Sequence, residues 1–400
     1  MNYKTTIVQK EMKSSILYID AANSINDIRI AEKSIWVENI PKYGYNMFYL
    51  LFTNKKNKIE KNVLNNIISS RKYNSYLLSY IVLTYNLIKT LKTSKPSFVI
   101  VRNRADIGVI VLCLGKFFKF KSVYIKAFPQ LELMISKTSN KLRILVLKLV
   151  LQWEIFLMKR SDILIVRSKK YDSLLKKKYK IRHKTLIIPM GVNMALLTEI
   201  NQETKERIRT DYSLSKAFLG VYVGTLDKSR NIEFIINVIK DVQTNHSNLD
   251  FLIIGGEQND IARLKQYAVN NNVDIVFTGN LDRKNLFNLL QMADFSISAI
   301  PPTKVFEMLS PTKVYESLQH SCPVLINREI PDQYEIIKQS QAGLIHNYKK
   351  EEFVSSIDQI LKGEFDLKTM GENGYNYIIK NSTYTVMTNQ IIKELQQFED

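Results

Sequence analysis

Six short apolar runs recur through the C-terminal half of the chain, at Leu219–Val223, Phe251–Ile254, Val273–Thr278, Phe295–Ile300, Pro323–Ile326 and Gly343–Ile345. Helix-compatible segments follow or separate them at Ile232–Val242, Ile261–Val269, around Asn285–Met292, Thr312–His320, Asp332–Gln339 and Lys350–Ile360. Strand and helix alternating at this spacing predict a doubly wound α/β unit on a mainly parallel sheet. The N-terminal half repeats the scheme less regularly. Strands are read at Ser15–Ile19, Met47–Phe52, Phe98–Val101, Ser122–Ile125, Ile163–Val166 and Thr185–Ile188. Helices are read at Asp27–Ile40, Ala105–Phe118, Lys141–Met158 and Lys169–Lys178, with Val63–Leu91 helix-compatible but unevenly spaced.

Met194–Ser215 is polar and lacks a strand signal, which marks it as an interdomain connection. The expected division is 1–200, 201–375, and a helical tail 376–400, within the helix-like stretch Tyr375–Leu395, that packs back on the first domain. Four hundred residues suffice for two domains that each bury a core.

The chain carries a formal charge of +19, which points to a polyanionic partner: nucleic acid, an anionic membrane or a phosphorylated substrate. Lys137–Lys184 holds fifteen Lys or Arg against Glu154, Asp162 and Asp172, interleaved with apolar patches such as Ile144–Leu151. That pattern suits peripheral docking on an anionic membrane, or a domain core with solvated lysines outside it. Nucleic-acid binding predicts a recognisable module or aromatics interleaved on a basic face, and neither is visible. Ile16–Ile19 is too short for the apolar region of a signal peptide, and neither Ile107–Leu114 nor Ile144–Leu151 approaches a bilayer span. A cytoplasmic protein, peripheral on the inner face of the membrane, is expected. Cys113 and Cys322 lack metal or disulfide spacing, and the four histidines are scattered.

Two stretches carry candidate chemistry. After Leu219–Val223 comes Gly224-Thr225-Leu226-Asp227-Lys228-Ser229-Arg230, where a glycine permits close backbone approach and two cations suit a diphosphate. Solvated loop cations are the bland alternative. The second stretch, Ser310-Pro311-Thr312-Lys313-Val314-Tyr315-Glu316, opens a helix whose first amides can face an anion, with Lys313 lending charge. Glu316 lies among apolar neighbours and needs partners, either sugar hydroxyls or Lys313 at i,i+3. PTKVFE at 302–307 duplicates PTKVYE at 311–316, and Glu307 is placed in the loop within reach of a transferred sugar. Ligand identity is expected to depend on residues around Gly279–Asp282 together with loops of the first domain.

VYVGTLDKSRNIEFI (221–235), FLIIGG (251–256), VFTGN (276–280), ADFSISAIPP (293–302) and SPTKVYESLQHSCPVLIN (310–327) together resemble the family 4 retaining glycosyltransferases of GT-B architecture. SDILIVRSKKYDSLL (161–175) and LIIPMGVN (186–193) resemble the end of that family's first domain. The resemblance implies two Rossmann-like doubly wound parallel-sheet domains facing each other across a cleft. It implies transfer, with retention by a front-face route, from a nucleoside diphosphate sugar to a hydroxyl acceptor, with no metal cofactor. A lipid-linked or cell-surface glycan is the expected acceptor.

The family's paired glutamates resemble Glu307 and Glu316, here with eight intervening residues rather than seven; Met308 stands at the strict position. Of its basic pair, Arg230 matches, while Thr225 stands at the other position and Lys228 is the candidate substitute. Lys126 stands near the place of a histidine often found in the family, where it meets the leaving phosphate or is a surface lysine; no histidine occurs before residue 183. The loop 20–24 has no glycine where members often have several. These departures support an alternative, a catalytically degraded binding or partner subunit. The expected catalytic residues are thus Glu307, Lys126 and Arg230. Gly224, Thr225, Lys228, Arg230, Gly279, Ser310, Pro311, Thr312, Lys313, Val314 and Glu316 are expected to hold the donor.

Overall fold

A computed structural model describes residues 14–22, 24–53, 66–197 and 199–399. The N-terminal segment 1–13, Asn23 of the first loop and the polar stretch 54–62 lie outside the described residues. The chain divides into two compact units: Met1–Arg167, Tyr171–Ile188 and Tyr384–Asp400 form one, and Ser168–Lys170 with Pro189–Thr383 the other.

The first unit is built on β1 (Ser15–Asp20), β2 (Asn46–Thr53), β3 (Ile67–Arg71), β4 (Phe98–Arg102), β5 (Lys121–Lys126), β6 (Ile163–Val166) and β7 (Thr185–Ile187). They pair in the order β3-β2-β1-β4-β5-β6-β7, all parallel. Phe98–Val101 and Ile163–Val166 are buried along their whole length, as strands covered on both faces require. β3 corrects the helical reading of Val63–Leu91. Ile67 and Ile68 pair with Tyr49 and Leu50, and the helix begins only at Tyr76, where Ser75 Oγ accepts the Leu78 amide. Edge pairing overrides local helical propensity there.

The helix expected at Asp27–Ile40 is uneven. A short α-turn, Ile30–Glu32, widens to a π-turn at Lys33–Asn39 and tightens to a 3₁₀ turn at Ile40–Tyr43. The widened turn buries Trp36, whose indole N–H donates to Glu32 Oε2 at 3.0 Å. Glu32 also accepts from Arg102 at 3.1 Å and from Arg167. Burial alone would raise the Glu32 carboxyl, but the two guanidinium groups hold it below its ordinary range.

Lys126, at the end of β5, is 1% exposed. Its Nζ lies 2.6 Å from Glu154 Oε2, and Tyr124 donates to Glu154 Oε1 at 2.7 Å. Glu154 comes from the helix Lys141–Arg160. The ammonium is therefore balanced against Glu154 inside the first unit's core, which corrects the alternative of a surface lysine.

The second unit carries β8 (Phe218–Val223), β9 (Leu249–Ile254), β10 (Val276–Gly279), β11 (Phe295–Ser298), β12 (Val324–Asn327) and β13 (Gly343–His346). Their order is β10-β9-β8-β11-β12-β13, again all parallel. Both units are thus Rossmann-like and doubly wound, the composition of the GT-B class. Outward from β8 and β11 the crossovers run in opposite directions, so the carboxyl ends of these neighbours form a topological switch point, where such sheets bind ligands. A helix, Gln202–Asp211, occupies part of the polar connection, capped by Asn201, which accepts the Thr204 amide at 2.9 Å. The tail is two helices, Leu367–Asn381 and Tyr384–Gln396, rather than one. The second packs on the 33–43 turns of the first unit.

The turn before the helix Thr312–Gln319 is tied to the helix Pro331–Ser340. Ser310 Oγ and Tyr315 OH both donate to Asp332 Oδ2, at 2.8 and 2.9 Å, and the Met190 amide donates to Ser310 Oγ at 2.8 Å. Burial lifts the Asp332 carboxyl from 3.8 to about 6, against the opposing pull of the two hydroxyls and Lys169.

Two stability measurements follow from these buried groups. Glu154→Ala leaves the Lys126 ammonium buried and unpaired and should cost about 3–5 kcal/mol in denaturant unfolding, whereas Lys126→Met with Glu154→Leu should restore most of it. Unchanged stability of the single variant would show that Lys126 finds water instead. For Asp332 the folded pKa is the higher one, so its contribution to stability is complete below about 3.8 and is lost as pH rises through about 6. The difference in stability between the natural protein and Asp332→Asn should fall across that window; a pH-independent difference contradicts the assignment.

Candidate functional site

The site is assembled at the carboxyl ends of β8, β9, β10 and β11, within the second unit. Gly224 follows β8 with φ +151°, and its amide donates to the Ile254 carbonyl at 3.0 Å. A side chain at Gly224 would begin 3.1 Å from Lys313 Nζ, so its absence makes room for that ammonium. At the end of β9, Gly255 presses still closer: an added Cβ would stand 2.3 Å from the Gly224 carbonyl oxygen.

The Lys313 ammonium lies 3.7 Å from the centre of the Tyr222 ring, a cation–π arrangement. Tyr222 in turn donates to the Thr225 carbonyl at 3.2 Å, which fixes the start of the loop. Among the described residues no carboxylate pairs with Lys313. Burial, with Arg230 nearby, pushes its pKa well below the usual lysine range.

Arg230 is positioned by three contacts. Its Nε donates to Thr225 Oγ1 at 3.1 Å, its guanidinium centre is 4.6 Å from the Phe306 ring, and Asp227 is reached only at 3.7 Å. Asp227 also caps the 3₁₀ turn Lys228–Arg230 through the Ser229 amide at 3.1 Å. Lys228 is exposed on that turn, and no carboxylate partner is found for it among the described residues.

The helix Thr312–Gln319 starts directly after Pro311, whose extended backbone serves as its N-cap. The Val314 amide donates back to the Pro311 carbonyl at 3.1 Å, which removes it from the expected anion-facing set. The Thr312 and Lys313 amides have no acceptor among the described residues and stay available for an anion. The Ser310 hydroxyl is committed to Asp332 rather than to a ligand.

Glu316, one turn further along, pairs with Arg283 instead of Lys313: Arg283 donates to Oε1 at 3.1 Å. Burial raises the Glu316 carboxyl while Arg283 opposes the rise. Its Oε2 has no donor among the described residues and can accept from a hydroxyl. Arg283, at the head of the helix Arg283–Met292, was not singled out in the sequence. The signal was present, since Asp282 accepts the Asn285 amide at 2.8 Å and so fixes where that helix begins. Glu307 sits on the 3₁₀ turn Phe306–Met308 and pairs with Lys170 at 3.0 Å.

A cavity of about 380 Å³ opens beside the loop, lined by Gly224, Thr225, Gly255, Gly256, Asn280 and Leu281 among others, a volume suited to a small ring ligand. Gly279 has φ +72° and its carbonyl accepts the Gly255 amide at 2.8 Å. It thereby aims Asn280 and Leu281 at the cavity wall. Arg263 pins the same loop from outside by donating to the Leu226 carbonyl at 3.1 Å. Lys126 belongs to the first unit's core, as described above, and is not part of this group.

Residues 204–377 match the family model described as glycosyl transferases group 1. No curated protein matches the chain. Among solved structures, sucrose-phosphate synthase from Thermosynechococcus elongatus aligns with a TM-score of 0.73 at 14% identity, over 96% of this chain and 99% of that one. A glycosyltransferase from Rickettsia africae ESF-5 aligns with 0.72 at 17% identity, over 96% and 98%. Anabaena HepE in complex with UDP aligns with 0.71 at 13% identity, over 96% and 100%. At these identities the likeness to the solved structures is one of fold, and the family match covers the second unit's sheet and the helices around it.

Proposed function

We propose that this protein is a nucleotide-sugar-dependent glycosyltransferase whose second unit holds the nucleoside diphosphate of the donor. One observation carries the reading: Lys313 and Arg230 converge with the free amides of Thr312 and Lys313 at a switch point, and among the described residues no carboxylate balances Lys313. The group 1 match over the same residues and the UDP complex of HepE support it.

In this reading the cavity beside Gly255 and Asn280 takes the base, and Glu316 Oε2 accepts from a ribose hydroxyl. The diphosphate lies against Lys313, Arg230 and the helix amides, with Lys228 close enough on its turn to add charge. As the bond between the anomeric carbon and the phosphate oxygen breaks, the leaving diphosphate takes the electron pair. The fixed cations and amides stabilise that developing charge, which serves the purpose a divalent metal serves elsewhere. The acceptor hydroxyl then bonds to the anomeric carbon on the same face and gives up its proton to the departing phosphate, so configuration is retained as in family 4. Glu307, placed by resemblance near the sugar, orients it. The acceptor is a lipid-linked or cell-surface glycan, and the protein works in the cytoplasm as a peripheral protein on an anionic membrane.

A binding-only version of the same reading is favoured by one feature. Lys126, which stands in the first unit near the place of the family's missing histidine, is locked to Glu154. Donor binding without turnover in the presence of a crude lipid acceptor selects that version.

Titration calorimetry with a panel of nucleosides and nucleoside diphosphates tests the site. Lys313→Ala, and Lys228→Ala combined with Arg230→Ala, should each weaken the diphosphate roughly 30-fold or more and leave the nucleoside within about 3-fold, as expected for loss of charge-assisted hydrogen bonds. Glu316→Ala should weaken nucleoside and diphosphate alike, by about 10-fold or more. Equal losses for both ligands in the cation variants would remove the diphosphate from this position.

A further inference from the structure

The helix Lys141–Arg160 of the first unit is apolar on two faces. One face, with Leu147, Leu151, Ile155 and Met158, packs inward. The other carries Leu142, Leu145, Leu149, Trp153 and Phe156 at steps of three and four residues, all exposed, with Leu142 at 71% and Trp153 at 59%. A helix apolar all round is ordinarily enclosed on every side. This one is not, and its neighbours extend the uncovered surface. The helix Ala105–Phe118 packs against both it and the helix Tyr76–Ser94. These two expose Phe117 at 81% and, on the second, Tyr76, Leu77, Ile81 and Tyr85.

The charges around this surface are one-sided. Lys141, Arg143, Lys148, Lys159 and Arg160 are exposed on the helix itself, and Lys89, Lys92 and Lys116 on its neighbours. The three helices contain two acids: Glu154, buried against Lys126, and Asp106, paired with Arg104. No helix among the described residues is long and apolar enough to cross a membrane. An apolar strip bearing Trp, Tyr and Phe and fringed by cations, its one exposed acid Asp106 paired with Arg104, is what an anionic bilayer interface attracts, with rings at headgroup depth and cations at the phosphates. A second copy of this chain would set the same cations against one another.

We infer that the exposed faces of the helices Lys141–Arg160, Ala105–Phe118 and Tyr76–Ser94 form the docking surface by which the protein lies on an anionic lipid membrane, Trp153 at its centre. This rests on the peripheral setting proposed above and gives it an address.

The chain contains two tryptophans, Trp153 and the buried Trp36, so the environment of Trp153 can be read by fluorescence. The full-length protein is mixed with vesicles of phosphatidylcholine alone, or with a third of the lipid replaced by phosphatidylglycerol, at low and high salt. Binding should require the anionic lipid and weaken with salt, with Trp153 emission shifting to the blue and quenched by brominated acyl chains. Leu145→Ser with Leu149→Ser should lower vesicle affinity about 10-fold or more, and Arg143→Glu with Lys148→Glu by about as much. Both variants should keep the natural melting temperature and nucleotide affinity, which shows that they fold. Anionic vesicles bound equally by every variant, with Trp153 unshifted, would overturn this surface while leaving a peripheral protein that docks elsewhere. No binding of the natural protein to any vesicle would overturn the peripheral setting as well. A dimer in sedimentation that Leu145→Ser with Leu149→Ser converts to monomer would assign the surface to a second copy instead.

Discussion

A half-buried lysine ammonium that finds no carboxylate among the described residues is best satisfied by an anion from elsewhere. Lys313 is in that position, and much of the second unit's local architecture serves to put it there. Gly224 supplies the space, Tyr222 the ring beneath the charge, and the helix Thr312–Gln319 the backbone that carries it. The Ser310–Tyr315–Asp332 network fixes the turn from which that helix starts. Arg230, held by Thr225 and stacked near Phe306, adds a second charge to the same locality. Bringing two cations together is unfavourable without a ligand, and an anion of two or more charges is the natural remedy.

The two units treat buried charge in opposite ways. In the first, Glu32 is shared between Arg102 and Arg167, and Lys126 is closed against Glu154. These pairs lie at or near the carboxyl ends of β4, β5 and β6, whereas the second unit's unbalanced cations lie beyond the ends of β8 and β11. The same topology thus supports a balanced, self-contained edge in one unit and an unbalanced one in the other. The first unit's free cations lie instead on the outer faces of its helices, around the uncovered apolar strip.

Much of the fold was legible because strands buried on both faces leave continuous apolar runs, as in β8, Phe251–Ile254 of β9 and 324–326 of β12. β3 was not, since Ile67-Ile68 is too short to declare itself beside a long helix and is defined by its partner β2. The break at Ser382-Thr383 was also hidden; there the Val192 amide donates to the Ser382 carbonyl across the second unit. Gly224 and the Ser310–Glu316 turn could be picked out because glycine and proline carry their backbone meaning locally. The partners of the charged groups could not. Glu154 is remote in sequence from Lys126, and Arg283 from Glu316, so helix spacing suggested Lys313 for Glu316 where tertiary contact supplies an arginine. Ser310 likewise looked free until Asp332 arrived from the next helix.

The central claim is that a nucleoside diphosphate rests between the loop 224–231 and the turn 310–316. A crystal structure of the protein soaked with the nucleoside diphosphate that binds most tightly tests this directly. The account predicts phosphate oxygens within hydrogen-bond distance of Lys313 Nζ and the Arg230 guanidinium, with the Thr312 or Lys313 amide donating to the same group. A nucleotide bound elsewhere, with Lys313 still on the Tyr222 ring and no phosphate beside it, would contradict it.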